Sequence, residues 1–115
     1  MSPFVLDRPA VLERLGDDED IMFMMLGMCC DDVENNCREL SEALVAADLE
    51  GLRRAAHTVK GTLASVSDDD GAALAFALEK QARAGELAGA EALLLALQAR
   101  LRHVAGVLAS VLASR

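Results

Sequence analysis

The sequence has no tryptophan and no tyrosine, and its phenylalanines are three, Phe4, Phe23 and Phe76. A core must therefore be built from aliphatic side chains. With Ala, Leu and Met abundant and β-forming residues few, the composition favours helix over sheet. Positive charge is also scarce: 11 Lys and Arg stand against 19 Asp and Glu, a formal charge of −8. That balance argues against sequence-independent binding to nucleic acid or to anionic lipid, both of which need clustered cations, and leaves a protein partner or a small ligand. Cysteine is sparse and oddly placed. Cys29, Cys30 and Cys37 fall within one expected helix, an arrangement unlike a secreted disulfide framework and lacking the Cys-x-x-Cys spacing of zinc sites. They are expected to pack in or near the core, and a reducing cytoplasm suits them. No long hydrophobic run stands out either. The apolar stretch from Ile21 to Cys30 is short for a bilayer and follows no basic region, and Gln98, Arg100, Arg102 and His103 interrupt the last helix, so no membrane contact is expected.

What is present is a helical period, repeatedly restarted. The length of 115 residues suits one domain, taken here as residues 1–115. A short helix is expected after Asp7, with Pro9 tolerated in its first turn, ending near Gly16. Asp17 or Asp18 caps a long second helix to about Ala46, and Asp48 a third to about Val66. The cluster Ser67-Asp68-Asp69-Asp70-Gly71 is a loop and the next N-terminus, leading a fourth helix that runs through Ala84 and ends at Gly85. Glu86 then opens a fifth helix reaching almost to Arg115. Short connections between long helices predict an all-α fold: an antiparallel up-down-up-down four-helix bundle with a short additional N-terminal helix as a lid.

The third helix carries the most informative pattern. At about 100° per residue, Leu52, Ala56, Val59, Leu63 and Val66 form one narrow stripe, which is the core face. His57 projects about 140° from Leu52 and should face solvent. Arg53 and Lys60 lie one turn either side of it, Gly61 one turn on and Ala64 two turns on. A glycine inside an exposed helix costs about 1 kcal/mol relative to alanine. The compensation is access, since without a Cβ another protein's backbone can approach the imidazole. A cation-flanked, accessible imidazole is what phosphoryl transfer needs: a neutral nitrogen in line with phosphorus, and positive charge to balance the equatorial oxygens.

The segment Ala56-His57-Thr58-Val59-Lys60-Gly61-Thr62 resembles the motif of histidine-containing phosphotransfer (HPt) domains, roughly Ala-His-x-Leu-Lys-Gly-Ser around the phosphorylated histidine. The lead-in from Ala46 through Asp48 and Leu52 to Arg54 is similar to that family's, and Leu74-Ala75-Phe76-Ala77-Leu78-Glu79 resembles its Leu-x-x-x-Leu-Glu stretch. The chain departs from the pattern at Leu63, where a small residue is usual, and at Ser67, where glycine commonly ends the helix. The resemblance implies a phosphorelay carrier with His57 as phospho-acceptor and Lys60, Gly61 and Arg53 in support. It implies response-regulator receiver domains and a hybrid sensor histidine kinase as partners, no kinase or hydrolase machinery in the chain itself and no intrinsic cofactor. Mg²⁺ is expected on the partner receiver.

Two other readings compete. A helical adaptor could dock on a receiver or kinase without carrying phosphate. A metal- or cofactor-binding bundle would need Glu and His facing inward, which the wheel denies to both histidines. His103 lies opposite its own helix's core stripe, has Gly106 where a lysine would be wanted, and is read as a plain surface residue. On the second helix, Ile21, Phe23, Met24 and Met28 exceed what one buried face requires. Either the short first helix covers them, or they join Ala64 in an adaptable docking patch beside His57.

Overall fold

Aspartate begins four of the helices in the computed structural model, which describes residues 1–115: Asp7 for α1 (Arg8–Arg14), Asp18 for α2 (Glu19–Val45), Asp48 for α3 (Leu49–Ser65) and Asp68 for α4 (Asp69–Arg83). The carboxylates of Asp7, Asp18 and Asp48 accept the backbone N–H three residues on, at 3.1, 3.1 and 2.9 Å, satisfying donors that a helix N-terminus leaves free. The fifth helix, α5 (Ala90–Ala113), starts differently. It begins four residues later than Glu86, where the sequence placed it, because Gly89 takes a left-handed φ of 82° and breaks the helical path. No strand is present.

The first four helices also end alike. The backbone N–H groups of Asp17, Asp48, Asp68 and Glu86 reach back five residues to Leu12, Ala43, Leu63 and Gln81, at 2.8 to 3.1 Å. This closure needs a left-handed residue just before the donor, and Gly16, Ala47, Ser67 and Gly85 supply it with φ between 53° and 79°. Two of the four are not glycine, so the connections on either side of α3 carry backbone strain.

α2 spans 27 residues, about 40 Å of helix, and sets the 42 Å length of the molecule. α3 packs against α2 and α4, and α5 against α2 and α4, closing a ring around one core. Met22, Leu26, Leu40, Leu52, Val59, Leu63, Leu78, Leu97, Leu101 and Leu108 fill it, each at most 2% exposed. Leu63, a departure from the family pattern, is thus accommodated in the core. Along α5, Gln98 donates to the Cys37 carbonyl and the Ser41 hydroxyl, Arg102 pairs with Glu34, and the Ala105 carbonyl accepts from Cys30. Burial pushes the thiols of all three cysteines up, which keeps them protonated and inert.

α1 packs on α2 through the fully buried Val11, and its Arg14 reaches the C-terminus of α3, donating to the carbonyls of Ala64 and Ser65 and to the Ser67 hydroxyl. It does not cover the surplus apolar residues of α2 as the sequence suggested: Ile21, Met24 and Met28 remain exposed, and only Phe23, beneath Arg8, is half-buried. α5 also departs from expectation. By length and composition it could cross a membrane, so its polar residues do not exclude a span by themselves. In the fold its apolar stripe, Leu94 to Leu108, lies in the core, and Gln98 and Arg100 turn inward to partners. Arg100, 7% exposed, pairs through two nitrogens with both oxygens of Asp68, 3% exposed, at 2.9 and 2.6 Å. Its remaining nitrogen donates to the Ser2 carbonyl, and one turn on His103 Nε2 accepts the Phe4 N–H at 2.9 Å. The N-terminal segment is strapped along α5 by these two bonds.

Candidate functional site

α3 rotates as its pattern requires. Leu52, Ala56, Val59 and Leu63 are at most 1% exposed, while the His57 side chain is 61% exposed. Gly61 and Ala64 are exposed on the same face, and a Cβ built on Gly61 would meet nothing within 4 Å. The foreground of the imidazole is open.

Behind it stands a residue that helical-wheel reasoning on α3 could not supply. Glu79 of α4 is buried, its side chain 1% exposed, yet it is not alone: Oε1 accepts from Lys60 Nζ at 2.8 Å, and Oε2 meets His57 Nδ1 at 2.8 Å and Arg83 at 3.2 Å. Burial by itself would raise this carboxyl's pKa. The hydrogen bond from Lys60, and after it the one from His57, hold it below the ordinary carboxylate range, so Glu79 is ionised and can only accept. The proton of the neutral imidazole therefore sits on Nδ1, and the Nε2 lone pair is directed away from Glu79. The sequence did contain a trace of this residue. Ala75, Leu78 and Ala82 trace the buried stripe of α4, and Glu79 borders it about 40° from Ala75, a carboxylate at the edge of an apolar face.

Lys60 is one-third exposed and has a second neighbour, the Phe76 ring, whose centroid lies 4.9 Å from its Nζ. Arg53, expected to support His57, is instead drawn to Glu50 one turn back, with contacts of 3.1 and 2.5 Å. That i, i+3 pair holds the Glu50 carboxyl below its usual range and leaves Arg53 without contact to the imidazole. Arg83, which the sequence reading passed over, is the arginine that reaches Glu79.

The expected docking patch divides. Met24 and Met28 are 61% and 60% exposed, and Ile21, one turn earlier, is 43% exposed. Phe23 is half-buried, with the guanidinium groups of Arg8 and Arg115 at 5.4 and 5.1 Å from its ring, and does not belong to that exposed strip. Cys29 faces Ser65, so the methionines lie level with the C-terminal end of α3, about 12 Å along the helix from His57 rather than directly beside it. His103 is exposed but not idle. Its Nε2 is occupied by the Phe4 N–H, whereas the Nε2 of His57 is free.

No curated protein and no solved structure matches the chain. At the level of families, residues 24–107 match the Hpt domain, a span that holds the whole of α3 and α4 and every residue of the Glu79 cluster. With more than two thirds of its length so matched, the chain belongs to the Hpt domain family, and hence to the phosphotransfer modules of two-component signalling.

Proposed function

We propose that the chain is a single phosphorelay carrier domain that accepts a phosphoryl group on His57 Nε2 from the aspartyl phosphate of a receiver domain and returns it to another. The observation that carries this reading is the asymmetry of His57: Nδ1 is held by the buried Glu79 and Nε2 stands free in an open foreground. In the transfer, the Nε2 lone pair attacks phosphorus as the bond from phosphorus to the aspartyl oxygen breaks, leaving the partner's carboxylate and an N-phosphorylated imidazolium. Glu79 offsets the positive charge that grows on the ring while keeping the Nδ1 proton. Lys60, bound to the same carboxylate as His57, adds positive charge beside the imidazole. Nothing in the chain needs to act as kinase or hydrolase, and Mg²⁺ on the receiver supplies charge neutralisation there.

The same reading includes the antiparallel up-down-up-down bundle. As α5 advances from Gln98 through Arg102 to Ala105, its partners on α2 fall from Ser41 and Cys37 through Glu34 to Cys30, which favours opposed directions. The partners would be receiver domains and a hybrid sensor histidine kinase, in the cytoplasm, with Ala64, Met24, Met28 and Ile21 on the docking side. Incubation with a phosphorylated receiver tests the proposal. Wild-type protein should acquire label that is labile in acid and persistent in alkali, as a phosphoramidate is, and His57→Gln should acquire none. Receiver binding without transfer would instead support a non-phosphorylated adaptor.

A further inference from the structure

The sequence contains two lysines, Lys60 and Lys80, and both ammonium groups stand 4.9 Å from the centroid of one ring, Phe76. The ring is 42% exposed on α4, one turn before Glu79 and Lys80. Neither the core nor the histidine accounts for it. Phe76 lies outside the buried stripe of Ala75, Leu78 and Ala82, and an aromatic ring left in water forgoes the stabilisation its burial would give. Lys80 forms no ion pair within the fold, unlike Lys60, which is bound to Glu79. In a chain of net charge −8, two ammonium groups flank this ring, and of the two only Lys60 is bound to a carboxylate, that of Glu79.

We infer that Phe76 and Lys80 form a specificity-determining contact that seats an acidic receiver surface beside His57, an inference that deepens the proposed function and rests on it. A partner that presents an acyl phosphate and holds Mg²⁺ through carboxylates must be acidic at the mouth of its own site. Such a surface is complementary to a half-exposed ring ringed by ammonium groups: the ring gains burial, and Lys80 gains the carboxylate it lacks in the free protein. Lys60 cannot do this without leaving Glu79, so the two lysines divide the work, Lys60 to the imidazole side and Lys80 to the partner side. Neither Phe76 nor Lys80 touches His57, so the pair governs docking rather than the chemical step.

Transfer kinetics from a phosphorylated receiver to the full chain decide it. Lys80→Glu should raise KM about tenfold while kcat stays within about twofold, and the defect should shrink as salt is added. Lys80→Gln should show a smaller rise in the same direction. Phe76→Ala should raise KM by a similar factor, with little response to salt. Wild-type KM in Lys80→Glu and Phe76→Ala overturns the inference, as does a fall in kcat at unchanged KM. Should Phe76→Ala fail to melt cooperatively, the two Lys80 variants carry the test. Failure of the underlying reading looks different: label that survives His57→Gln, or no transfer to wild type from any receiver, removes the carrier function and this contact with it.

Discussion

His57 and Glu79 are unequal partners, an imidazole mostly in water joined at 2.8 Å to a carboxylate almost wholly out of it. A buried carboxylate is tolerated only where donors surround it, and the donors here are the His57 ring and two cations. Orienting the histidine and satisfying Glu79 are one arrangement. Glu79→Gln should therefore leave the helices folded but lower transfer by roughly 10–100-fold, because the amide carries no charge to offset the imidazolium. Nitrogen NMR should find the Nδ1–H tautomer dominant at His57 in the wild type and a mixture in the variant. Unchanged tautomers and unchanged transfer would remove Glu79 from the mechanism.

Lys60→Ala should affect both function and stability. A loss of roughly 1–3 kcal/mol of transition-state stabilisation is expected from removing a charged contact near the phosphoryl group. A further loss of about 1–2 kcal/mol in folding stability follows from leaving Glu79 less compensated, moderated because Lys60 is itself 30% exposed. The sequence alone pointed to little stability change, since it showed a surface lysine and not the carboxylate beneath it. The effect has a pH dependence. Lys60 first and His57 second lower the Glu79 pKa, so the stability they contribute is full above the ordinary carboxylate value of about 4.3 and is lost as pH falls through the lowered one. Urea midpoints measured from neutral pH downward should show a smaller acid-induced loss in Lys60→Ala than in wild type, complete at a higher pH.

Gly61 should separate stability from function. With no atom within 4 Å of where a Cβ would stand, Gly61→Ala should be neutral or stabilising by up to about 1 kcal/mol. Gly61→Leu should fold yet dock poorly, its side chain rising into the foreground of His57. Thermal melts paired with transfer rates check both, and wild-type transfer by Gly61→Leu would end the access argument.

The Asp68–Arg100 pair should be costly to break and cheap to remove whole. Asp68→Ala or Arg100→Leu alone leaves an unpaired buried charge and should destabilise by roughly 3–5 kcal/mol. The double variant should lose clearly less than the sum, and additive losses in denaturant melts would show that the pair acts independently. Gly71 belongs to this unit, because a Cβ there would overlap the Asp68 carboxylate.

Ala47→Gly should stabilise the fold by about 1 kcal/mol, because Ala47 holds a left-handed φ of 53° that glycine adopts without strain. Ser67→Gly should gain less, since the Ser67 hydroxyl also accepts from Arg14. Denaturation midpoints rank the two, and destabilisation by Ala47→Gly would contradict the strain.

Much of the fold was legible because local rules govern it. Capping aspartates, helix-ending glycines and the stripe of α3 depend on residues a few positions apart, and they located α1 to α4 to within about two residues. The exposure of His57 and the open side of Gly61 followed from the same arithmetic. What was not legible depends on pairs distant in the chain. His57 and Glu79 are 22 residues apart, Asp68 and Arg100 are 32, and Phe4 and His103 are 99. A wheel drawn for one helix cannot say which neighbour fills the space beside it. The Arg53–Glu50 pair went unread for a different reason, because the wheel was drawn outward from His57 and not from Arg53.

The two corners that flank α3 bear on how this site can change over time. Ala47-Asp48 and Ser67-Asp68 close with the same five-residue hydrogen bond, fixing both ends of the helix. Between two fixed ends there is no slack. One residue gained or lost inside α3 would turn part of the helix by about 100° relative to one corner. His57 would then swing away from Glu79 even though every residue of the site was retained. Point substitutions can retune this helix one side chain at a time, whereas a single codon inserted between the corners would silence it.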